Sequence, residues 1–411
     1  MEAESGGDEG APGWKRTLYI MWFAQLVAIL GFMFVIPFMP FYIRELGVTD
    51  ERLVPMWSGL LGSASGLAFA LVAPFWGALA DRYGRRPMVL RSMFAGAVVL
   101  TLMGYVVNVN QLLVLRIMQG LLTGTIGASV ALVSAITPRR RLGFSLGLMQ
   151  TAVLSGASVG PWIGGAVADR LGYRLPFLVA GGALVVSGLL VALFTRESFV
   201  RPTADNDRLS TLGMIRQAPG YGTMLGIFFL ISLAGTIVAP VFPLIVEKLL
   251  HDPANKGAIT GMIMGITGLV EAVAAVSVGR WSDRVGQKTI LISCTFLSGL
   301  VCLPMAVAGS VGQLFGLRAA LGLTGGGTAP TINALVGKLM PRNYYGRAFG
   351  LTSSVSGLGG SAGPMIGGAM AAWWGLQSPF LAMGAMLIII AAVAAWSIKD
   401  LRRGLARRLA D

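Results

Sequence analysis

The chain has 411 residues, of which 55% are hydrophobic and only 12% charged, with a mean hydropathy of +0.73 and a formal charge of +14. Water-soluble domains carry about 25% charged residues, so composition excludes a soluble protein. The positive charge does not mark a nucleic-acid partner, because the basic residues lie in short loops between apolar runs, where they set topology.

Residues 1–16 form an N-terminal segment whose first ten residues, MEAESGGDEG, are acidic and lack the basic start of a cleavable signal. Twelve mostly apolar stretches follow, each about long enough to cross a ~30 Å hydrocarbon core. Spans 1 to 6 are predicted at 17–39, 56–80, 87–107, 111–134, 142–168 and 174–194. Spans 7 to 12 are predicted at 222–249, 257–281, 288–308, 312–336, 346–373 and 379–397. Two six-helix bundles result, 17–194 and 222–397, joined by the one long polar stretch, 195–221, and followed by a basic tail, 398–411. The fold class is all-α membrane protein. The 57 glycines, embedded in apolar runs, suit close helix–helix contact in a bilayer. Cys294 and Cys302 lie about 12 Å apart along one helix, too far for a disulfide.

Of the 32 Lys and Arg residues, 23 fall on the side that holds both termini and the 2–3, 4–5, 6–7, 8–9 and 10–11 loops, against 6 on the other and 3 inside spans. The positive-inside rule makes both termini cytoplasmic.

The two bundles are copies. Asp81 and Asp283 are 202 residues apart, as are Arg116 and Arg318. The stretch GASVGPWIGG (156–165) answers GGSAGPMIGG (359–368) at an offset of 203. Six spans per copy keep one orientation, so the repeat is parallel, about an axis normal to the membrane. Such folds hold substrate near the midplane between the halves.

Each copy has a tight basic loop: GALADRYGRRP (77–87), with Gly77, Asp81, Arg82, Gly84, Arg85 and Arg86, and GRWSDRVGQK (279–288), with Asp283 and Arg284. Gly77 would let span 2 approach a neighbour closely. Asp81 can end its helix and accept charge-assisted bonds from arginines or a facing helix N-terminus. In span 5, Gly156, Gly160, Pro161, Gly164 and Gly165 predict a bend and one thin, tightly packed face. Ordinary small-residue packing explains the same stretch without a further role.

Glu271 stands roughly 18 Å up span 8 from Asp283. Its helical neighbours Thr267, Gly268, Ala274 and Ala275 are small, which suits a cavity better than lipid. A charge at that depth costs about 2.5–3.5 kcal/mol on insertion scales, so a function is the default reading, namely loading and releasing a proton. A structural carboxylate with a partner elsewhere is the plainer alternative. Polar cavity candidates are Gln25, Gln150 and Asn333, with Phe32 among the aromatics, although packing explains most aromatics in membrane helices. There is no GxxxxGKS/T stretch for an ATP-driven pump, no metal constellation and no catalytic triad. The chain is therefore not read as an enzyme, and no cofactor is expected.

The loop motif GALADRYGRRP, LRIMQG (115–120) in span 4, GASVGPWIGG in span 5 and LGFMFVIPFMP (30–40) in span 1 together resemble the major facilitator superfamily. Within it, the chain is similar to the twelve-span bacterial drug:proton antiporters. The resemblance implies twelve transmembrane helices in two parallel six-helix repeats and a bacterial inner-membrane location. It also implies a loop latch that holds the cytoplasmic faces together, a glycine–proline motif that seals the proton path, and Arg116 assisting proton transfer. Where many such proteins carry an acid in span 1, this chain has Gln25. The expected function is proton-coupled export of amphipathic, drug-like molecules by a monomer, with membrane lipids as the other partner and no nucleic acid. Import of a sugar or metabolite with protons, export of a siderophore, lipid or secondary metabolite, and a sensor without flux are the other readings.

Overall fold

The computed structural model describes residues 13–197, 220–340 and 345–408. Every described element is helical. Nine stretches among the described residues are long and apolar enough to cross a membrane. The predicted spans 7, 10 and 11 make up the twelve. Spans 7 and 10 are interrupted helices, and span 11 (Tyr345–Trp374) is rich in glycine and serine.

Four spans predicted as continuous are broken, and they are the first and fourth of each copy. Span 1 runs as Trp14–Met33, a single turn Ile36–Phe38, then Met39–Glu45. Pro37 and Pro40 cannot donate to the preceding turn, so the helix restarts there. Span 7 breaks the same way, into Tyr221–Thr236 and Phe242–Leu249, around Pro240 and Pro243. Span 4 breaks into Val109–Leu122 and Thr125–Ile136. Gly124 lies between them with φ +126°, a conformation closed to most side chains. Span 10 breaks into Val311–Gly325 and Thr328–Leu339 at its glycine run.

The remaining spans are continuous: span 2 at Leu53–Tyr83, span 3 at Arg85–Met103, span 5 at Leu142–Leu171 and span 6 at Leu175–Phe194. Span 8 is Lys256–Val285, span 9 is Gln287–Met305 and span 12 is Ser378–Arg408. Pro74, Pro161 and Pro364 are carried inside helices without ending them. The basic loops are tighter than predicted. One residue, Gly84 at φ +99°, separates spans 2 and 3, and its copy Gly286 at φ +105° separates spans 8 and 9.

The described helices form two compact units, Met1–Val48 with Leu67–Thr203 and Asp252–Gly265, and Thr49–Gly66 with Ala204–His251 and Ile266–Asp411. In the first, span 1 packs on spans 5 and 6, and span 3 packs on spans 4 and 6. In the second, span 7 packs on spans 11 and 12, and span 9 packs on spans 10 and 12. The repeat seen as spacings in the sequence is therefore also a repeat of packing. Large apolar side chains such as Leu71, Val98, Leu193, Val307 and Trp396 are exposed, as expected of surfaces that face lipid.

Capping repeats as well. Asn108 Oδ1 accepts from Gln111 N–H at 2.9 Å to start span 4, and Ser310 Oγ accepts from Gln313 N–H at 3.2 Å to start span 10. Each glutamine reaches back, accepting from Val107 N–H at 3.0 Å and Gly309 N–H at 2.9 Å. This reciprocal pattern satisfies donors that the helix start leaves over.

Candidate functional site

Glu271 sits 15 residues from the first residue of its helix and 14 from the last, roughly 22 Å from either end. Among the 18 acidic residues of the chain it is the one in mid-span. Leu269 (53% exposed), Val273 (62%) and Val276 (58%) lie on one side of the helix. At 100° per residue Glu271 projects from the opposite side, and it too is exposed. The helix thus presents one apolar face and, opposite it, a carboxylate flanked by Thr267, Gly268 and Ala275. Span 10 packs against this level of span 8 through glycines. A Cβ on Gly322 would stand 3.2 Å from Glu271 N, and one on Gly326 would stand 2.6 Å from Glu271 O. The break in span 10 is thereby held beside Glu271.

The break in span 4 is built differently. It frees the carbonyls of the last turn before Thr123, and two side chains take them. Trp76 Nε1 donates to Leu121 O at 2.7 Å, and Arg91 Nη1 donates to Leu122 O at 2.6 Å. The Arg91 guanidinium also stacks 3.5 Å above the Trp76 ring, a cation–π contact. In the sequence Arg91 is only one of three cations inside spans, and nothing singles out Trp76. The signal that could have found them is the Thr-Gly pair at 123–124, which forces the break and leaves carbonyls to satisfy.

Of the other predicted residues, Gln25 bonds to the start of the second half of span 4 and Arg116 lies in its first half. Gln25, fully buried, donates from Nε2 to Thr125 Oγ1 at 3.5 Å, and its Oε1 finds no partner. Arg116 Nη1 donates to Gln119 Oε1 at 3.2 Å, and its buried Nε is unpartnered. Arg318 stacks 3.9 Å over Phe242, so the repeat copies of this arginine have different partners. Phe32 is a packing residue, with its ring tip 3.4 Å from where a Cβ on Gly96 would stand. Gln150 and Asn333 are exposed on spans 5 and 10.

The span 5 glycines have two jobs. Cβ atoms on Gly156 and Gly160 would stand 2.8 Å from Ile29 Cγ2 and Met33 Cβ, and one on Gly164 would strike the backbone of Phe34, all in span 1. Gly165 and the Pro161 carbonyl instead face span 8, where they meet Gly257 and Gly261. The copies Gly359, Gly363 and Gly367 face the Phe229, Leu233 and Ile237 backbone of span 7 in the same manner.

The basic loops differ from expectation. The close approach predicted at Gly77 is absent, because a Cβ there would meet nothing within 4 Å. Span 2 approaches span 11 closely at Gly59, Gly62 and Gly66 instead. The side chains of Asp81 and Asp283 lie outside the described residues. Arg82 stacks on its neighbour Tyr83 at 5.4 Å, and Arg284 is exposed. Glu197, not singled out from the sequence, caps span 3. It accepts from Arg85 N–H at 3.0 Å and Arg86 N–H at 2.7 Å. The Arg86 side chain donates to Ala192 O at 2.6 Å and to Thr195 Oγ1 at 3.3 Å at the end of span 6. Lys288 donates to Ala395 O at 3.1 Å, the equivalent tie between spans 9 and 12.

The family model of the Major Facilitator Superfamily matches residues 21–220 and 224–409. The chain is 36% identical over 383 residues, 92% of its own length and 91% of the relative's, to the multidrug resistance protein MdtG of Enterobacter lignolyticus. It is 35% identical over 400 residues, 97% of each chain, to the protein of that name from Salmonella typhimurium. Among solved structures, it is similar to a bacterial homologue of the human lysosomal transporter Spinster, with a TM-score of 0.81 at 13% identity over 94% of this chain and 97% of that one. It is also similar to the human organic anion transporter MFSD10, with a TM-score of 0.68 at 17% identity over 93% and 100%. At such identities the structural likeness bears on the fold alone.

Proposed function

The chain belongs to the Major Facilitator Superfamily, and we propose that it exports drug-like, amphipathic molecules across a bacterial inner membrane in exchange for protons. One observation carries the export reading. The similarity to proteins named for multidrug resistance extends over more than nine-tenths of both chains.

The two six-helix bundles, 17–194 and 222–397, rock about the substrate, with both termini and the 195–221 linker cytoplasmic. Glu271 carries the proton, supported by its mid-span position opposite the apolar face of span 8. Gln25 Oε1, an acceptor, and Arg116 Nε–H, a donor, are unsatisfied polar atoms beside and on span 4, where a polar substrate group finds a partner, and the Arg116 charge assists proton transfer. Discontinuous helices are where transporters of this build hold substrate and coupling ion. Asp81 and Asp283 serve as the loop latches, and the protein works as a monomer.

The test is dye or drug movement in proteoliposomes under an imposed pH gradient. One unit of pH corresponds to about 1.4 kcal/mol per proton, enough for roughly tenfold accumulation by one-for-one exchange. The wild type is expected to accumulate substrate with the gradient, and Glu271→Gln to bind it without responding to the gradient. Gradient-driven accumulation by the variant equal to that of wild type would move the proton site away from span 8.

A further inference from the structure

Spans 5 and 8 meet at their outer ends, opposite the 2–3 and 8–9 loops, and the outer part of span 8 belongs to the same compact unit as span 5. There the Asp169 carboxylate accepts from the backbone N–H of Gly257 at 3.0 Å and of Ala258 at 2.8 Å. These amides open the span 8 helix, which starts at Lys256. One carboxylate thus takes two of the four donors that a helix start leaves over, at the end where the helix dipole favours negative charge. Small residues permit the approach. A Cβ on Gly257 would stand 2.8 Å from Asp169 Oδ1 and 3.0 Å from Gly165 O, and one on Gly261 would strike the Pro161 carbonyl. Lys256, its ammonium 4.1 Å over the Phe41 ring, is the cation that bears on Asp169. The other charged or titratable groups at these helix ends are Arg170 on span 5, Arg44 and Glu45 on span 1, Arg174 before span 6, and His251 and Asp252 just before span 8, where Asp252 accepts from Ala254 N–H at 2.9 Å. Glu45 pairs with Arg174 at 3.5 Å.

The repeat gives this contact its meaning. The copy of Asp169 in span 11 is Ala372, and the copy of Gly257 in span 2 is Pro55, which has no N–H to donate. Spans 2 and 11 meet there through Gly59 and Gly368 and through a bond from Met365 N–H to Ser63 Oγ at 2.9 Å. Of the two equivalent contacts, one is held by a charge and the other is neutral.

We propose that Asp169 is a further residue of the transport reaction. As a carboxylate it clips the outer ends of spans 5 and 8 together, and when one proton from the outer side neutralises it, the clip opens. An antiporter needs its outer face open when its proton arrives, and this arrangement makes proton uptake the event that releases that face. The inference rests on the proton-driven exchange proposed above for its place in the cycle.

The experiment reads the clip directly, without substrate. Spin labels are placed at exposed positions flanking the contact, Arg170→Cys and Asn255→Cys, with Cys294 and Cys302 replaced by serine. Distances are then measured by pulsed electron resonance at pH 8 and pH 5. The wild type is expected to hold one short distance at pH 8 and to gain a population several ångströms longer at pH 5. Asp169→Asn is expected to give the longer population at both values, and Asp169→Glu to keep the pH response. Gly257→Ala, whose methyl displaces the carboxylate while Asp169 stays, is expected to mimic Asp169→Asn at pH 8, and it serves where Asp169→Asn does not fold. A wild-type distance unchanged between pH 8 and pH 5, or a variant lacking the carboxylate contact that responds as wild type does, overturns the proposal. Because no transport enters the measurement, that result would leave the export reading to the vesicle assay.

Discussion

Gly160 offers a clean measure of what the span 5 glycines contribute. A Cβ on Gly160 would stand 2.8 Å from Met33 Cβ and 3.1 Å from Leu30 O, while one on Gly147, on the same helix, would meet nothing within 4 Å. Carbon atoms rest at about 3.5–4.0 Å, so Gly160→Ala must move span 1 away by up to roughly 1 Å at that level. Both obstacles are backbone or backbone-proximal and cannot rotate aside. Overpacking of this kind costs about 1–3 kcal/mol. Replacing glycine by alanine within a helix returns about 0.5–1 kcal/mol, and does so equally at both positions. The difference between Gly160→Ala and Gly147→Ala therefore isolates the contact, at about 1–3 kcal/mol. At about 2 °C per kcal/mol for a large chain, the two variants should melt roughly 2–6 °C apart when unfolding of the detergent-purified protein is followed by tryptophan fluorescence. Gly147→Ala should be at or above wild type, and Gly160→Ala at or below it. Equal melting temperatures would refute the reading of these glycines as a close span 1 contact.

Two further variants probe features that packing alone does not explain. Arg91→Ala should lower the melting temperature by the equivalent of about 1–3 kcal/mol, because it strands the Leu122 carbonyl at the span 4 break. The same variant should slow drug efflux in vesicles, and wild-type melting would remove Arg91 as the support of the break. Glu197→Gln keeps size but removes the charge that caps span 3. It should cost about 0.3–1 kcal/mol, with the gap to wild type narrowing as salt is raised; a gap insensitive to salt would mean that the charge is not what matters.

The fold was legible because its signals are long and repeated. Apolar runs, basic loops and a constant offset of 202–203 residues define twelve spans and two copies without side-chain detail. The span breaks were less legible. Proline at 37, 40, 240 and 243 announces a break, but in spans 2, 5 and 11 proline sits in an unbroken helix. In spans 1 and 7 two prolines stand three residues apart, whereas spans 2, 5 and 11 each carry one in the helix interior. At the span 4 break it is Trp76 and Arg91, distant in sequence, that take the freed carbonyls, and that is a tertiary fact. Asp169 was missed for a similar reason. The apolar run of span 5 stops at Ala168, and a carboxylate one residue further on looks like an ordinary helix end until the amides of residues 257 and 258 arrive from 88 residues away. Glu197 likewise lies more than 100 residues from the amides it caps. Glu271 could be found from the sequence because a single acid amid apolar residues is conspicuous without any partner.

The copies agree in packing and differ in chemistry, and that difference bears on the proposed coupling. At the offset of 202, the counterpart of Glu271 in span 2 is Phe69, and the counterpart of Gly326 is Gly124. Each of these glycines sits at the break of its span. A Cβ on Gly124 would stand 2.6 Å from the Phe69 ring, and one on Gly326 would stand 2.6 Å from Glu271 O. The same scaffold position therefore holds an aromatic ring in one copy and a carboxylate in the other. At the outer contacts the sides are exchanged: the charge belongs to span 5 of the first copy, and its counterpart in the second is alanine. Two titratable carboxylates on symmetric positions would load protons in parallel and leave no order to the cycle. With one in mid-span and one at a helix end, each on a different copy, the proton-driven exchange proposed above has two unlike carboxylates to order it. In that proposal the duplicated frame is the hinge, and the two acids without counterparts give it a direction.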